Sequence, residues 1–489
     1  MFIALFERTP ALHSAILISV VAFTVRTCVS LHPYSGAGKP PLYGDFEAQR
    51  HWMEITYNLP ISEWYFNTSR NNLEHWGLDY PPLTAYHSWL CGAISSQLDP
   101  HWVALETSRG HESYAHKLFM RHTVLATDLL LYFTAVWAFV RVLFRTQPAS
   151  HKVGLAAVLL LQPGLILIDH GHFQYNCASL GLALWGIVAV TSHFDLLGSI
   201  AFSLALNFKQ MELYHSVPFF CYLLGKALRS RNPLLKVTLL GITVVTTFGV
   251  LWLPFLVDVE TALQVLRRQF PFERGLFEDK VANLWCSISV LVKLHRLLSA
   301  ASVLRLTLLT TVAAILPSSW ALLRNPTPYT FILALGNSSL AFFLFSFQVH
   351  EKSILLAALP LSLLAHWHPF ASSWFGVLAS FSMYPLLTRD GLALPCWALS
   401  LLSFLFSLAF LQHWQRVSLH QKLLFAGCIG LLLATCSLSH LVTPPPKYPH
   451  LFPLATSVVS CVQLLGFLGY LHYLQFTAGG GKDMKTHNE

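Results

Sequence analysis

The chain has 489 residues, of which 54% are hydrophobic and only 11% are charged, whereas about 25% are charged in an ordinary soluble domain. This composition excludes a soluble protein and indicates a polytopic helical membrane protein, because a soluble fold would expose most of the apolar surface. The formal net charge is +8, but no Lys/Arg-rich run or RNA-binding motif indicates a nucleic-acid partner. The nine cysteines are scattered without a CxxC motif and do not report the redox compartment.

The first apolar run continues past Cys28 to Leu31 without a small-residue cleavage site. We therefore interpret residues 1–31 as a retained first membrane helix and not as a cleaved signal peptide. Lys and Arg concentrate in three short loops, at residues 141–152, 226–236 and 416–422. The positive-inside rule assigns these loops to the cytosol. The N-terminus is then also cytosolic, and residues 32–116 form a long outer loop that contains amphipathic helices.

Apolar runs continue through residues 117–257. They predict spans at residues 117–143, 153–168, 174–191, 194–208, 211–228 and 236–257. The next apolar piece, NLWCSISVLVKL, has only about a dozen residues and is too short to cross a bilayer. We therefore predict an outer loop with an interfacial or re-entrant segment at 258–303. Residues 304–475 hold the remaining spans, and the predicted total for the whole chain is about 14. The polar tail 476–489 is predicted to be cytosolic.

This topology brings polar clusters from distant parts of the chain to the outer side. The clusters are Asp45/Glu47/Arg50/His51, Asp169/His170/His172, Lys209/Glu212 and His350/Glu351/Lys352, with Arg267, Arg268, Arg274 and Lys280 in the loop 258–303. Any one such cluster is more often a solvated loop or a helix-end anchor than a site. The convergence of four clusters on one face favours a functional site.

A carboxylate that faces several cations beside a membrane suits one kind of chemistry. The cations can hold the phosphate of a lipid-borne ligand, while a carboxylate with an ordinary pKa near 4 can deprotonate an attacking hydroxyl. A sugar attached to phosphate leaves as a stabilised anion, so cations can replace the second carboxylic acid of glycoside cleavage. One acid and a cationic clamp therefore suffice for a direct displacement that inverts the anomeric centre.

Other interpretations fit parts of the pattern. Asp169, His170 and His172 could contribute metal ligands, but this spacing in a loop is weak support and no Cys-rich or His-x₃-His partner accompanies it. A transporter would also carry polar groups along its route, yet no internal repeat is visible and the clusters gather at one face. Asp79 precedes a Tyr-Pro-Pro turn, and its aromatic neighbours fit either an interfacial belt or sugar stacking.

Eight sequence blocks resemble the ER dolichyl-phosphate-glucose-dependent α-1,3-glucosyltransferases. They lie between residue 43 and about residue 356: YGDFEAQRHWMEIT, EWYFNTS, WGLDYPPLTAYHSWL, TSRGHESYAHKLFMR, IDHGHFQYN, ALNFKQMELYHSVPFF, FERGLFEDKVANLWC and FLFSFQVHEKSILL. The C-terminal third is similar mainly in hydropathy. The first two blocks and the segment around WGLDYPP favour the branch that adds the first glucose over the sister branch that adds the second.

The resemblance implies an all-α, polytopic GT-C glycosyltransferase fold in the ER membrane, with the catalytic acid in a luminal first loop. Asp45 would be the general base, and His350 would lie at the donor phosphate. The implied reaction moves glucose from dolichyl phosphate β-glucose to Man9GlcNAc2-diphosphate-dolichol in an α-1,3 linkage, without nucleotide sugar, cofactor or metal. The candidates for further phosphate contacts are Lys209, Arg267, Arg268, Arg274, Lys280 and Lys352. The candidates for substrate binding are Glu47, Arg50, Asp79, Asp169, His170, His172 and Glu212.

Overall fold

The structure is a computed structural model that describes residues 11–270, 280–290, 292–293, 297–411 and 414–478. Within these ranges it is helical apart from turns and loops, and it contains no strand. A chain in lipid has to satisfy its backbone polar groups internally, and a helix does so within each segment. The predicted all-α, polytopic class is confirmed.

The first half of the described chain contains ten helices. They are α1 (Ala11–Ser30), α2 (Asp45–Asn58), α3 (Pro82–Leu98), α4 (Tyr114–Leu143), α5 (Ala149–Leu160), α6 (Pro163–Phe173), α7 (Asn176–Thr191), α8 (Asp195–Phe208), α9 (Leu213–Leu228) and α10 (Pro233–Trp252). Helices α4 and α6 include π-helical stretches at Asp128–Phe133 and Leu167–Phe173.

The remaining helices follow α10 in the chain. They are α11 (Val259–Gln269), α12 (Leu284–Ile288), α13 (Ala300–Arg324), α14 (Pro328–Phe345), α15 (Ile354–Leu363), α16 (Pro369–Ser382), α17 (Tyr384–Arg389), α18 (Ala393–Leu411), α19 (Leu419–Leu441) and α20 (Leu451–Ala478). Helix α12, in the predicted interfacial segment, has five residues, far fewer than the roughly 20 that cross a bilayer.

Eight helices in the described ranges are long and apolar enough to span a membrane, and the bent pair α5–α6 is a ninth candidate. The pair bends by 43° where Gln162 precedes Pro163, since a proline disfavours helical backbone at the residue before it. Two shorter apolar helices, α7 and α8, raise the number to eleven, and adding the short helices α9, α15 and α16 gives fourteen segments. The predicted total of about 14 spans is therefore reached only with these short helices.

The long first loop has a small apolar core of its own. Trp52 of α2 and Ala85 of α3 are buried in it together with Phe255 and Val265. Because Phe255 follows α10 and Val265 lies in the middle of α11, this core attaches the loop to the end of α10 and to α11. The attachment holds α2 against the bundle at its first residue, Asp45.

A tight turn determines where α2 begins. A Cβ atom on Gly44 would lie 2.6 Å from the Ser35 carbonyl carbon, and Gly36 has a φ of +77°. Glycine is the residue that fits both the close approach and the left-handed backbone. Asp45 is consequently the first residue of α2, where the helix dipole stabilises a carboxylate.

Candidate active site

The Asp45 carboxylate lies at the meeting point of three chain segments. Its Oδ2 is 2.7 Å from Lys352 Nζ and 3.2 Å from His172 Nε2, and it accepts a hydrogen bond from the Gln174 amide. The Asp45 side chain is 25% exposed, so a ligand can still reach it. Residues about 130 and 310 positions away in the sequence therefore converge on the predicted general base.

Electrostatics keep this carboxylate ionised. Burial acts to raise the pKa of Asp45, but the Lys352 ammonium and the His172 imidazole outweigh it and hold the pKa well below its usual value. The same partners orient the carboxylate, because each contacts the Oδ2 atom. Asp45 is a charged acceptor throughout the neutral pH range.

The π-helical end of α6 positions the polar residues of the DHGHFQYN block. A π-helix inserts an extra residue into a helical turn, and such turns are frequent at functional sites. Phe173, directly after His172, has a φ of +92°, a strained conformation for an aromatic residue. This backbone turns the chain out of the bundle and places His172 and Gln174 beside Asp45.

A second cation, Lys209, is linked to Asp45 through the Gln174 side chain. Lys209 is 8% exposed and donates hydrogen bonds to Gln174 Oε1 (3.1 Å) and Asn176 Oδ1 (2.5 Å). Gln174 thus bridges Asp45 and Lys209 through the two ends of one amide. Burial and then the charge of Lys352 lower the pKa of Lys209 to about 8. Lys209 is charged at pH 7 and loses its proton in mildly alkaline solution.

These residues line one cavity of about 660 Å³. His350, Asp79 and Arg268 lie in the same wall as Asp45, Lys209 and Lys352. Ligand cavities of drug-sized molecules occupy about 300–1,000 Å³. The cavity is therefore large enough for a sugar together with the phosphate that carries it.

Another part of the lining of this cavity is largely apolar. It includes Leu304 and Leu308 of α13 and Phe342 of α14, with the Thr311 side chain among them. Leu304 is 41% and Leu308 61% exposed, and α13 is long and apolar enough to span a membrane. The cavity thus joins the charged residues around Asp45 to a helix surface that faces hydrocarbon.

Several predicted site residues lie elsewhere. Glu47 and Arg50 pair with each other at 2.7 Å and continue to Glu54, inside the first loop. His170 turns away from Asp45 and contacts Asp128 at 2.9 Å, while Glu212 contacts His215 at 2.7 Å. The geometry assigns these residues structural contacts.

The remaining predicted residues fall into three groups. Asp169 is buried and accepts hydrogen bonds from the backbone amides of Asn176 and Cys177, so it supports the turn that carries Gln174. Arg267 is exposed, and Lys280 lies outside the cavity lining. Arg274 lies outside the described residues. In the described ranges no three His, Cys, Asp or Glu side chains come together as a metal site.

Sequence reasoning missed Asp390, which accepts a hydrogen bond from His172 Nδ1 at 2.5 Å. Asp390, His172 and Asp45 therefore form a continuous chain of contacts. Asp390 is the one carboxylate between residues 353 and 478, and that rarity in an apolar region was a usable signal. Gln174 and Asn176 were missed because neutral amides carry no charge signal.

Asp390→Asn is expected to lower kcat about tenfold or more while the donor KM changes little. The carboxylate orients the His172 imidazole, and an amide does not fix the same tautomer. Steady-state kinetics on the purified variant measure both constants. Arg389→Gln is the neighbouring control, because this side chain is 54% exposed in a 3.6 Å surface pair. Equal loss in both variants, or a fall in the unfolding temperature that matches the lost activity, would contradict a positioning role.

Comparison with known proteins gives one family and a consistent set of relatives. The model of the "ALG6, ALG8 glycosyltransferase family" matches residues 19–470. Relatives named "Dolichyl pyrophosphate Man9GlcNAc2 alpha-1,3-glucosyltransferase" include a Gallus gallus protein, 51% identical over 92% of this chain and 94% of its own length. An Arabidopsis thaliana protein named as a probable enzyme of this kind is 45% identical, over 95% of this chain and 90% of its own length.

Among solved structures, the chain is similar to ArnT from Cupriavidus metallidurans in its apo state. That similarity has a TM-score of 0.41 at 14% identity, and it covers 81% of this chain and 76% of that chain. A likeness of this size supports no statement about function.

Proposed function

The chain belongs to the ALG6, ALG8 glycosyltransferase family, and on that premise we propose that it transfers glucose to a dolichol-linked oligosaccharide. The proposed acceptor is Man9GlcNAc2 on dolichyl diphosphate, and the linkage formed is α-1,3, as in the names of its relatives. The enzyme is a multi-pass membrane protein, and its proposed place is the ER membrane, where N-glycan precursors are assembled. The active site is proposed to face the lumen, with both termini in the cytosol.

One observation carries the proposal for the donor. The cavity that contains Asp45 is lined both by Lys352 and Lys209 and by the apolar surface of α13. Dolichyl phosphate glucose has the matching chemistry: a sugar, an anionic phosphate and a long hydrocarbon tail. The tail would lie against Leu304 and Leu308, and the phosphate would lie among the cations.

The proposed reaction is a single displacement. Asp45 accepts the proton of an acceptor mannose hydroxyl while that oxygen forms a bond to C1 of glucose. The bond from C1 to the phosphate oxygen breaks, and its electron pair remains on the dolichyl phosphate. Lys352, Lys209 and His350 stabilise the charge that develops there. Attack opposite the leaving group converts the β-linked donor to an α-linked product.

The contact between Asp45 and Lys352 also explains how an acid with a lowered pKa acts as a base. In the ligand-free geometry Lys352 Nζ is 2.7 Å from Asp45 Oδ2. An arriving phosphate competes for the same ammonium. As Lys352 turns to the phosphate, the pKa of Asp45 rises and its affinity for a proton increases. Donor binding thereby prepares the base.

Donor use is expected to weaken as the pH rises through about 8. The pKa of Lys209, about 8, means that the fraction of charged lysine falls above this value, and the neutral amine binds phosphate less well. The measurement is kcat/KM for the donor between pH 6.5 and pH 9.5, which reports groups of the free enzyme. Asp45, Asp169, Glu212 and Lys352 are the charged groups that act on Lys209.

The control for this prediction is Lys209→Arg, because arginine keeps its charge to above about pH 12. The variant is expected to have a lower but flatter profile across the alkaline range. An unchanged alkaline decline in the variant would show that another group is responsible. The prediction would also be wrong if the wild-type profile stayed flat to pH 9.5.

A defined assay tests the function itself. The purified chain is offered dolichyl phosphate glucose with either unglucosylated or monoglucosylated acceptor. The proposal requires transfer to the unglucosylated Man9GlcNAc2 acceptor and inversion at the anomeric carbon. Transfer to the monoglucosylated acceptor alone would assign the sister activity, and use of a nucleotide sugar in place of the lipid donor would reject the proposed donor.

Cysteine labelling in sealed ER microsomes tests the proposed orientation. Ser69→Cys introduces a thiol at an exposed position of the first loop, and Arg231→Cys introduces one in the basic loop after α9. A membrane-impermeant maleimide is expected to label position 231 directly and position 69 only after the membrane is permeabilised. The reverse order would place the Asp45 cavity on the cytosolic side.

A further inference from the structure

A second, larger cavity lies at the other end of the helix bundle, among α16, α18, α19 and α20. Its volume is about 1080 Å³. Tyr329, at the start of α14, bonds to His368 in its wall at 2.6 Å, whereas Phe342, near the end of α14, lines the Asp45 cavity. Helix α14 has 18 residues and is therefore about 27 Å long. Phe342 follows Tyr329 by 13 residues, about 20 Å along the helix axis, so the two cavities lie near opposite ends of α14.

The charge in the lining of the second cavity is positive. Arg416 carries it, and none of the described lining residues is an aspartate or glutamate. The histidines of the lining already have partners, since His151 bonds to His366 at 2.8 Å and His368 bonds to the Tyr329 and Tyr470 hydroxyls. Among the described residues, Arg416 has no carboxylate within ion-pair distance. Because a positively charged lining attracts anions and repels cations, charge complementarity favours an anionic ligand.

The lining that α19 and α20 contribute to the second cavity includes apolar residues that face lipid. Leu424 of α19 is 59% exposed and Val462 of α20 is 65% exposed, and both residues line the cavity. Helices α19 and α20 are long and apolar enough to span a membrane, so their exposed faces meet hydrocarbon. A hydrocarbon chain can therefore enter between these two helices.

The polar side chain of Gln463, which lines the second cavity, already has hydrogen-bond partners. Gln463 accepts a hydrogen bond from Trp374 Nε1 at 3.1 Å and donates one to the Cys428 carbonyl at 3.1 Å. A ligand group beside this side chain would therefore find no polar atom of Gln463 to bind, and only an apolar group gains by burial there. The cavity thus matches a molecule that is anionic at one end and hydrocarbon at the other.

We propose that the second cavity binds an anionic phospholipid. Its phosphate would contact Arg416, and an acyl chain would lie between α19 and α20. Basic pockets between membrane helices are a known type of site for such headgroups. The bound lipid would stabilise the packing of the C-terminal helices. This proposal is independent of sugar transfer, because none of the described residues lines both cavities.

The glycines of α20 provide a matched pair of variants. Gly466 lines the cavity, Gly469 does not, and a Cβ atom built on either residue meets nothing within 4 Å. Gly466→Leu therefore places a side chain in the cavity without a steric clash, and Gly469→Leu adds the same side chain on the same helix outside the cavity. Arg416→Gln removes the charge alone.

The experiment measures the unfolding temperature of the full chain in detergent. The probes are dioleoyl phosphatidylglycerol, dioleoyl phosphatidylcholine and glycerol 3-phosphate. Saturating phosphatidylglycerol is expected to raise the unfolding temperature of the wild type and of Gly469→Leu by about 3 °C or more. Gly466→Leu is expected to lose this shift. Arg416→Gln is expected to respond equally to the two phospholipids.

Three outcomes would overturn the proposal. The first is a full phosphatidylglycerol shift in Gly466→Leu, which would place the lipid elsewhere. The second is an equal effect of phosphatidylcholine on the wild type, which would show that charge is not recognised. The third is an equal effect of glycerol 3-phosphate, which would show a free-phosphate site. Mass spectrometry of lipids that copurify with each variant provides a second readout, in which Gly466→Leu should retain less anionic lipid than Gly469→Leu.

Discussion

Asp45→Asn is expected to lower glucose transfer by about 10²–10⁴-fold, the usual contribution of a general base. The amide has nearly the shape of the carboxylate but cannot accept the acceptor hydroxyl proton. The loss should appear in kcat, because the Lys352 and Lys209 ammonium groups, which we propose hold the donor phosphate, remain. The measurement is transfer of glucose from dolichyl phosphate glucose to Man9GlcNAc2-diphosphate-dolichol by purified enzyme.

The matched control is Glu74→Gln. Glu74 lines the same cavity, but its side chain makes no described hydrogen bond with Lys352 or His172. This variant removes an equal charge from the cavity and should keep most of the activity. Near wild-type transfer by Asp45→Asn would reject the general-base assignment. Equal losses of activity in both variants would show that the loss of negative charge from the cavity, and not the loss of a base, causes the effect.

Asp128→Leu is expected to destabilise the fold by about 3–5 kcal/mol, the typical cost of breaking a buried ion pair. Asp128 Oδ2 lies 2.5 Å from Arg26 Nε and 2.9 Å from His170 Nε2, and Asp128 and Arg26 are 0% exposed. Without the carboxylate, Arg26 carries an uncompensated charge between membrane helices. The measurement is the unfolding temperature and the yield of monodisperse protein in detergent.

The double variant Arg26→Met/Asp128→Leu distinguishes the unpaired charge from lost packing. Replacing both partners with apolar side chains removes the desolvation cost of both ions. The double variant is therefore expected to recover much of the stability that Asp128→Leu loses. If the double variant is as unstable as the single one, shape and not charge dominates at this position.

The sequence predicts the membrane helices and two lysines of the site for the same physical reason. Charged side chains are costly in apolar segments, so Lys209 and Lys352 stand out against the hydrocarbon-rich runs around them. Asp45 lies instead in the long polar loop, where the resemblance of its GDFE block singles it out. The positive-inside rule predicts that all three residues lie on one side of the membrane, and all three line one cavity. The two lysines are predictable because the chain around them is so poor in charge.

The rest of the site depends on details that charge does not encode. Glu47, Arg50 and Glu54 are spaced for one face of a helix, and that face is buried inside the loop. His170 and His172 are two residues apart, and positions two apart on a helix point to different sides, so one contacts Asp128 and the other contacts Asp45. The sequence indicates a loop for this stretch, and in a loop the spacing does not separate the two histidines.

The pair of ammonium groups beside Asp45 has a consequence for turnover. On the proposed donor, the phosphate is a diester with one negative charge, while the dolichyl phosphate that remains is a monoester whose second pKa is about 6. The spent carrier is therefore more negative than the donor and is held more tightly by Lys209 and Lys352. Release of dolichyl phosphate would then limit the rate of turnover, and added dolichyl phosphate would compete strongly with the donor.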